Sequence, residues 1–152
     1  MAILPYAKDS EADYANRMSG LTVDSERKFG TMDSTKMLRH MRLSYETAIG
    51  ETDFEIKPIP VLSPILLYVF SNVLKVWPGG KIKAPGFWSP PAEGAFDEEL
   101  KLITEAQSRF LEKLESSPDE VNAHPIFGKM TVQQWSRLLG PHLNHHLRQF
   151  GV

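Results

Sequence analysis

The sequence predicts an all-α fold, an antiparallel four-helix bundle, and three observations predict it. Four segments carry apolar side chains at three- and four-residue steps. Each is bounded by a capping residue, a glycine or a proline. Between the second and third lies a long crossover holding seven of the 11 prolines, Pro58 to Pro91, with Gly79, Gly80, Gly86 and Gly94 among or beside them. The 152 residues suit one domain spanning residues 1–152, because two halves would each be marginal.

The first helix is expected from Asp9 to about Ser19, ended by Gly20, with Tyr14 and Met18 one turn apart on its inner face. A short helical turn is expected at Asp24 to Lys28. The second helix starts at Asp33 or Ser34, either of which can cap it, and passes Met37, Leu38, Met41, Tyr45 and Ala48 to stop at Gly50. The third opens near Asp97 and places Leu100, Ile103, Gln107, Phe110 and Leu114 on one stripe, with Pro118 beyond its end. The fourth opens on Thr131, three residues before Gln134 in a capping-box pattern. It runs through Trp135, Leu138, Leu139, His142 and His146 to Gln149, and Gly151 closes it. Within the crossover, Ser63 and Pro64 start a further short helix carrying Leu66, Leu67, Val69, Phe70 and Leu74. A structureless loop of this length does not suit a compact domain, so the crossover packs over one end of the bundle or into a partner.

Composition narrows the function classes. Seventeen basic against 19 acidic side chains leave a formal charge of −2, which gives no support for nucleic-acid binding. The absence of cysteine excludes disulfides, thiolate ligands and Cys nucleophiles, so His, Asp and Glu must hold any metal. The first residues lack the regions of a signal peptide, and the most apolar run, Ile59 to Phe70, is shorter than the roughly 20 residues that cross a bilayer. A soluble, cytoplasmic protein without a membrane segment is expected.

The chemistry rests on five histidines, three of them within Pro141-His142-Leu143-Asn144-His145-His146. On a helix, His142 and His146 are separated by about 6 Å of rise and about 40° of rotation, so both rings leave one face. Trp135, Leu138, Leu139 and Gln149 share that face, which makes it the inward one. The structural alternative is one histidine packed in the core and the others capping a helix C-terminus. His145, about 60° off the face, competes with His146, and spacing does not choose between them. A third ligand must come from another helix, where His40 flanks the apolar stripe beside Met37 and Ser44; its structural alternative is a surface histidine. His124 precedes Pro125 in the loop His124-Pro125-Ile126-Phe127-Gly128, which restricts it to extended backbone and suits a structural hydrogen bond more than ligation.

The C-terminal stretch HPIFGKMTVQQWSRLLGPHLNHHLRQFGV, with FGTMDSTKMLRHM and the APGF stretch at Ala84, closely resembles a branch of the DinB/YfiT-like superfamily of metal-dependent enzymes. The match covers most of residues 24 to 152. The resemblance implies an antiparallel four-helix bundle with a long crossover, and one divalent metal held by a His of the second helix and an H-x-x-x-H pair of the last. Carried over by motif, these ligands are His40, His142 and His146, and the H-H-x-x-Q run ending at Gln149 implies His146 over His145. Pro141 departs from a regular helix immediately before His142, where it is expected to kink the chain or split it in two.

Three imidazoles leave positions open for water or substrate, as in a catalytic site, with zinc or nickel expected and iron as a further candidate. Such an ion acidifies water, which suits a hydrolase, and would bind a small thiol as thiolate; transfer of a low-molecular-weight thiol is the second reaction type, implied by the resemblance, since some members of the wider superfamily perform it. His145, Gln149, His124 and Tyr45 are the candidates to support the site or touch a small-molecule substrate, and the general acid or base candidates are His145 and Asn144, then Tyr45 and Glu46. A reading of another class is a non-enzymatic interaction module with a structural or vestigial metal site, forming a homodimer through its helices or the apolar Ile59 to Leu74 segment.

Overall fold

The four predicted helical periods fold as helices whose ends lie within a few residues of their expected positions. The structure, a computed structural model, describes residues 4–52, 54, 62–74, 76–81 and 83–152. Helix α1 spans Glu11–Met18. Helix α2, Ser34–Ala48, is capped by Asp33, whose carboxylate accepts the Lys36 N–H at 2.7 Å. Helix α3, Leu62–Tyr68, continues into a π-helical turn at Val69–Val73, and this is the short helix expected in the crossover. Ile59 to Val61, the start of the apolar segment, lie outside the described residues. Helix α4 spans Phe96–Ser116, and α5 spans Val132–Gln149 behind a complete capping box: Thr131 Oγ1 accepts the Gln134 N–H, and Gln134 Oε1 accepts the Thr131 N–H.

Two expectations are corrected. The fold is mostly helical but not all-α, because strands β1, Val121–His124, and β2, Gly128–Thr131, pair antiparallel with Val121 opposite Thr131 and His124 opposite Gly128. Four-residue strands are too short to display a clear period of two, and the turn depends on Gly128, whose φ of 81° favours glycine. The second correction concerns Asp24 to Lys28, which form no helix. Ser25 Oγ accepts the Thr22 N–H and the Ser25 N–H bonds the Thr22 carbonyl, a local turn that competes with helix formation.

Helix α2 packs along α4, and α5 lies against α1, α2 and α4. Their shared core contains Met37, Leu38, Met41, Ile103, Leu139 and Leu143, and the ring of Tyr45 sits 5.0 Å from Tyr6 and 5.7 Å from Phe110. Helix α5 is not split at Pro141. The N-terminal segment seats against it there: Ser136 donates to the Tyr6 carbonyl and accepts its N–H on the backbone oxygen, and Tyr14 Oη–H reaches the Gly140 carbonyl at 3.0 Å. A Cβ on Gly140 would overlap the Leu4 carbonyl oxygen, so only glycine allows this approach.

The end of the crossover is tied down by charge. Glu99 of α4, fully buried, pairs with Arg42 Nε of α2 at 3.1 Å and accepts the Glu93 N–H at 2.9 Å. The Glu93 carboxylate bonds both Arg39 and Arg42, at 2.8 and 2.7 Å. These bonds hold the segment just beyond Trp88 against α2, next to His40. Among the described residues, no helix is long and apolar enough to cross a membrane.

Candidate metal centre

Helices α2 and α5 bring three histidines together. The ring centroids of His40, His142 and His146 stand 5.0 Å apart, pair by pair, and one nitrogen from each falls within 4.8 Å of the others. His40 and His146 are buried, and His142 keeps part of its surface open. The i, i+4 spacing on α5 puts His142 and His146 on one face, as expected, and α2 meets that face at His40.

The hydrogen bonds around the rings select their tautomers. His40 Nδ1–H donates to the Trp88 carbonyl at 2.6 Å, which leaves Nε2 as a bare lone pair. His146 Nδ1 lies 2.9 Å from Gln149 Oε1, and Gln149 Nε2 donates to the Phe29 carbonyl at 2.9 Å. Because the amide nitrogen is committed to Phe29, its oxygen faces His146 and accepts, so His146 also carries its proton on Nδ1. Gly30, with a φ of 77°, permits this turn, and a side chain there would strike the Gln149 amide. His40 Nε2 lies 3.0 Å from His142 Nε2. Two ligands of one tetrahedral ion, each bonded at about 2.0–2.1 Å, stand about 3.3 Å apart, so this pair is close to that spacing.

Burial keeps the imidazoles neutral. It pushes His40 down to about 4, against the Trp88 carbonyl, which pulls it up. Burial, and then the neighbouring His40, hold His142 and His146 well below the ordinary histidine range. Neutral lone pairs at neutral pH are the form that ligates a metal.

The remaining site candidates separate. His145 is buried, with its ring 5.3 Å from Phe29 and 5.1 Å from His146, and its Nδ1 has no hydrogen-bond partner. Gln149 supports His146 as above. His124 closes β1 rather than sitting in a loop, and its Nδ1 accepts the N–H groups of Ile126 and Phe127 at 3.0 and 3.1 Å, the structural job expected of it. Tyr45 is not brought to the site: its ring is buried between Tyr6 and Phe110, where that face of α2 points into the core. Glu46 lies 3.6 Å from both Arg39 and Arg42, and Asn144 accepts from Arg17.

The crossover supplies a wall the sequence reading did not assign. Trp77 stacks on His142 at 5.1 Å and 22°, and Trp88 lies edge-on to His40. With Leu66, Phe70, Phe127 and Leu138 they enclose a chamber of about 240 Å³ against His40, His142 and His146. The sequence signal for it was two of the three tryptophans lying inside the Pro-rich segment.

The chain belongs to the family described as "Protein of unknown function (DUF1569)", whose model matches residues 7–151. No curated protein and no solved structure matches it.

Proposed function

We propose that the chain is a divalent-metal-dependent enzyme of the DinB/YfiT-like type, a cytoplasmic four-helix bundle whose ligands are His40, His142 and His146. The observation that carries this reading is the pair of bonds from His40 Nδ1 to the Trp88 carbonyl and from His146 Nδ1 to Gln149, in a triad whose ring nitrogens come within 4.8 Å of one another. Buried polar atoms ordinarily find partners, and outer hydrogen bonds of this kind orient metal-ligating histidines. Zinc or nickel suits three imidazoles, with iron next. A divalent ion held there supplies a Lewis acid for hydrolysis of a small molecule or for transfer of a low-molecular-weight thiol.

The chain's own residues have definable parts. Trp88 and Gln149 orient two rings, and Trp77 holds the plane of the third. Among the described lining residues there is no Asp or Glu; the side chains beside the three rings able to carry a proton are His145, 5.1 Å from His146, with His124 and Lys83.

The test is metal content by elemental mass spectrometry on untagged protein, wild type beside His142→Ala, after dialysis against a weak chelator. About one zinc, nickel or iron per chain, lost in the variant, supports the reading. No metal in either protein, even after reconstitution, sinks it. A second reading, a homodimer, is favoured by α3, whose Leu62, Ile65 and Tyr68 are exposed. Light scattering of the same preparations at tens of micromolar decides it, and a monomer mass removes it.

A further inference from the structure

A second cavity of about 220 Å³ adjoins the aromatic chamber at His145 and His146, and its lining is the more polar of the two. Lys36 and Lys83 line it, with the hydroxyls of Thr31 and Ser89 and the edge of His145. No Asp or Glu lines either cavity among the described residues, in a chain whose acidic side chains outnumber its basic ones. Neither lysine ion-pairs with a described residue. Asp33, three residues before Lys36, spends a carboxylate oxygen on the α2 cap.

The two cavities share a border. Met32, Lys83, Ala84, His145 and His146 line both, so a molecule passing from one to the other crosses beside His146. Lys36 stands one helical turn before His40 on α2, an i, i+4 spacing that puts its ammonium along the same face as the imidazole. His145, nine-tenths buried, forms part of both walls with a nitrogen that has no partner. Either space alone falls below the roughly 300–1,000 Å³ of small-ligand sites, whereas the two together fall within it.

We propose that this site takes an amphiphilic organic anion, its apolar or aromatic body in the Trp77–Trp88 chamber and its anionic head, a carboxylate or a group of like charge, in the recess between Lys36 and Lys83. The assignment deepens the metal-enzyme reading and rests on it for the word substrate, but not for binding. The physical division of labour is plain: the aromatic wall gains from burying apolar surface, and paired cations select the charge of the head.

The test compares two probes with one body, 3-phenylpropionate and 3-phenylpropan-1-ol, by calorimetric titration at low salt. It uses chelator-treated wild type, metal-loaded wild type, and the Lys36→Met/Lys83→Met double variant. The expected result is a preference of at least fivefold for the acid in chelator-treated wild type, lost in the double variant while the alcohol binds as before. A Lys36→Arg/Lys83→Arg variant retains the preference. Equal affinities in the wild type, including none measurable, overturn the proposal, as does a preference that survives loss of both lysines. A preference seen only with metal present overturns it too, since the carboxylate then binds the ion. Failure of the metal reading shows separately, in the metal content.

Discussion

His40 and Arg42 leave α2 two residues apart and enter opposite kinds of surroundings. Around Arg42, unlike charges meet: Glu99 and Glu93 lie at 3.1 and 2.7 Å. Around His40, like groups meet, three neutral imidazoles whose outer nitrogens are satisfied where their hydrogen bonds can be traced and whose inner ones face one another. The first cluster neutralises its own charges and fixes the crossover to the helices. The second brings three ring nitrogens close enough to hold a metal ion, and a divalent cation at its centre is what the proposed function puts there.

The largest effect should come from breaking the cluster that neutralises its own charges. Arg42→Ala leaves Glu99 buried without its counter-charge, and a loss of about 3–5 kcal/mol is expected in urea unfolding. Removing Glu99 as well, with Leu in its place, should recover most of that loss, because no unpaired charge then remains buried. A loss under about 1 kcal/mol for Arg42→Ala would mean that water reaches Glu99 and that the cluster is not a clamp.

Protonation separates the two regions next. Burial holds His124, which lines the aromatic chamber beside Trp88, down to about 3, while in the unfolded chain it titrates near 6.5. Below pH 6.5 the unfolded state therefore takes up a proton that the folded state refuses. Stability falls as pH drops through that window, until the folded group itself titrates near 3. Its share between pH 7 and pH 5 is about 2 kcal/mol. His124→Asn keeps an acceptor for the Ile126 and Phe127 N–H groups and removes the titration, so its unfolding free energy should depend less on pH by that amount. An unchanged pH slope would show that His124 is not held neutral by burial.

The helices were legible because each signal was local: Asp33 before α2, Thr131 with Gln134 before α5, and apolar side chains at helical steps along α4. The histidine face of α5 followed from the same geometry, and the choice of His40 came from a motif resemblance. What was hidden depends on contacts between segments far apart in the chain. No period announces that the Trp88 carbonyl will meet His40 across 48 residues, or that Phe29 will orient Gln149 across 120. The hairpin was hidden for the opposite reason: β1 and β2 are too short for a period to show. Tyr45 was misjudged because sharing a helix with His40 does not mean sharing a face: five residues turn the helix by about 140°.

The smallest expected effects lie inside the metal centre and test which of its neighbours matter. Gln149→Leu removes the acceptor that fixes the His146 tautomer, and metal affinity should fall about 10–100-fold with the fold intact. Gln149→Glu retains the acceptor for His146 but loses the donor to the Phe29 carbonyl, so its metal affinity should fall less than that of Gln149→Leu, which a role limited to holding Phe29 would not predict. His145→Ala should leave metal content unchanged by elemental mass spectrometry. Its ring lies between Phe29 and Trp77, at 5.3 and 5.9 Å, rather than within the triad. A loss at His145 as large as that at His146 would mean that the α5 pair is His142 with His145, and that the Gln149 bond orients a bystander.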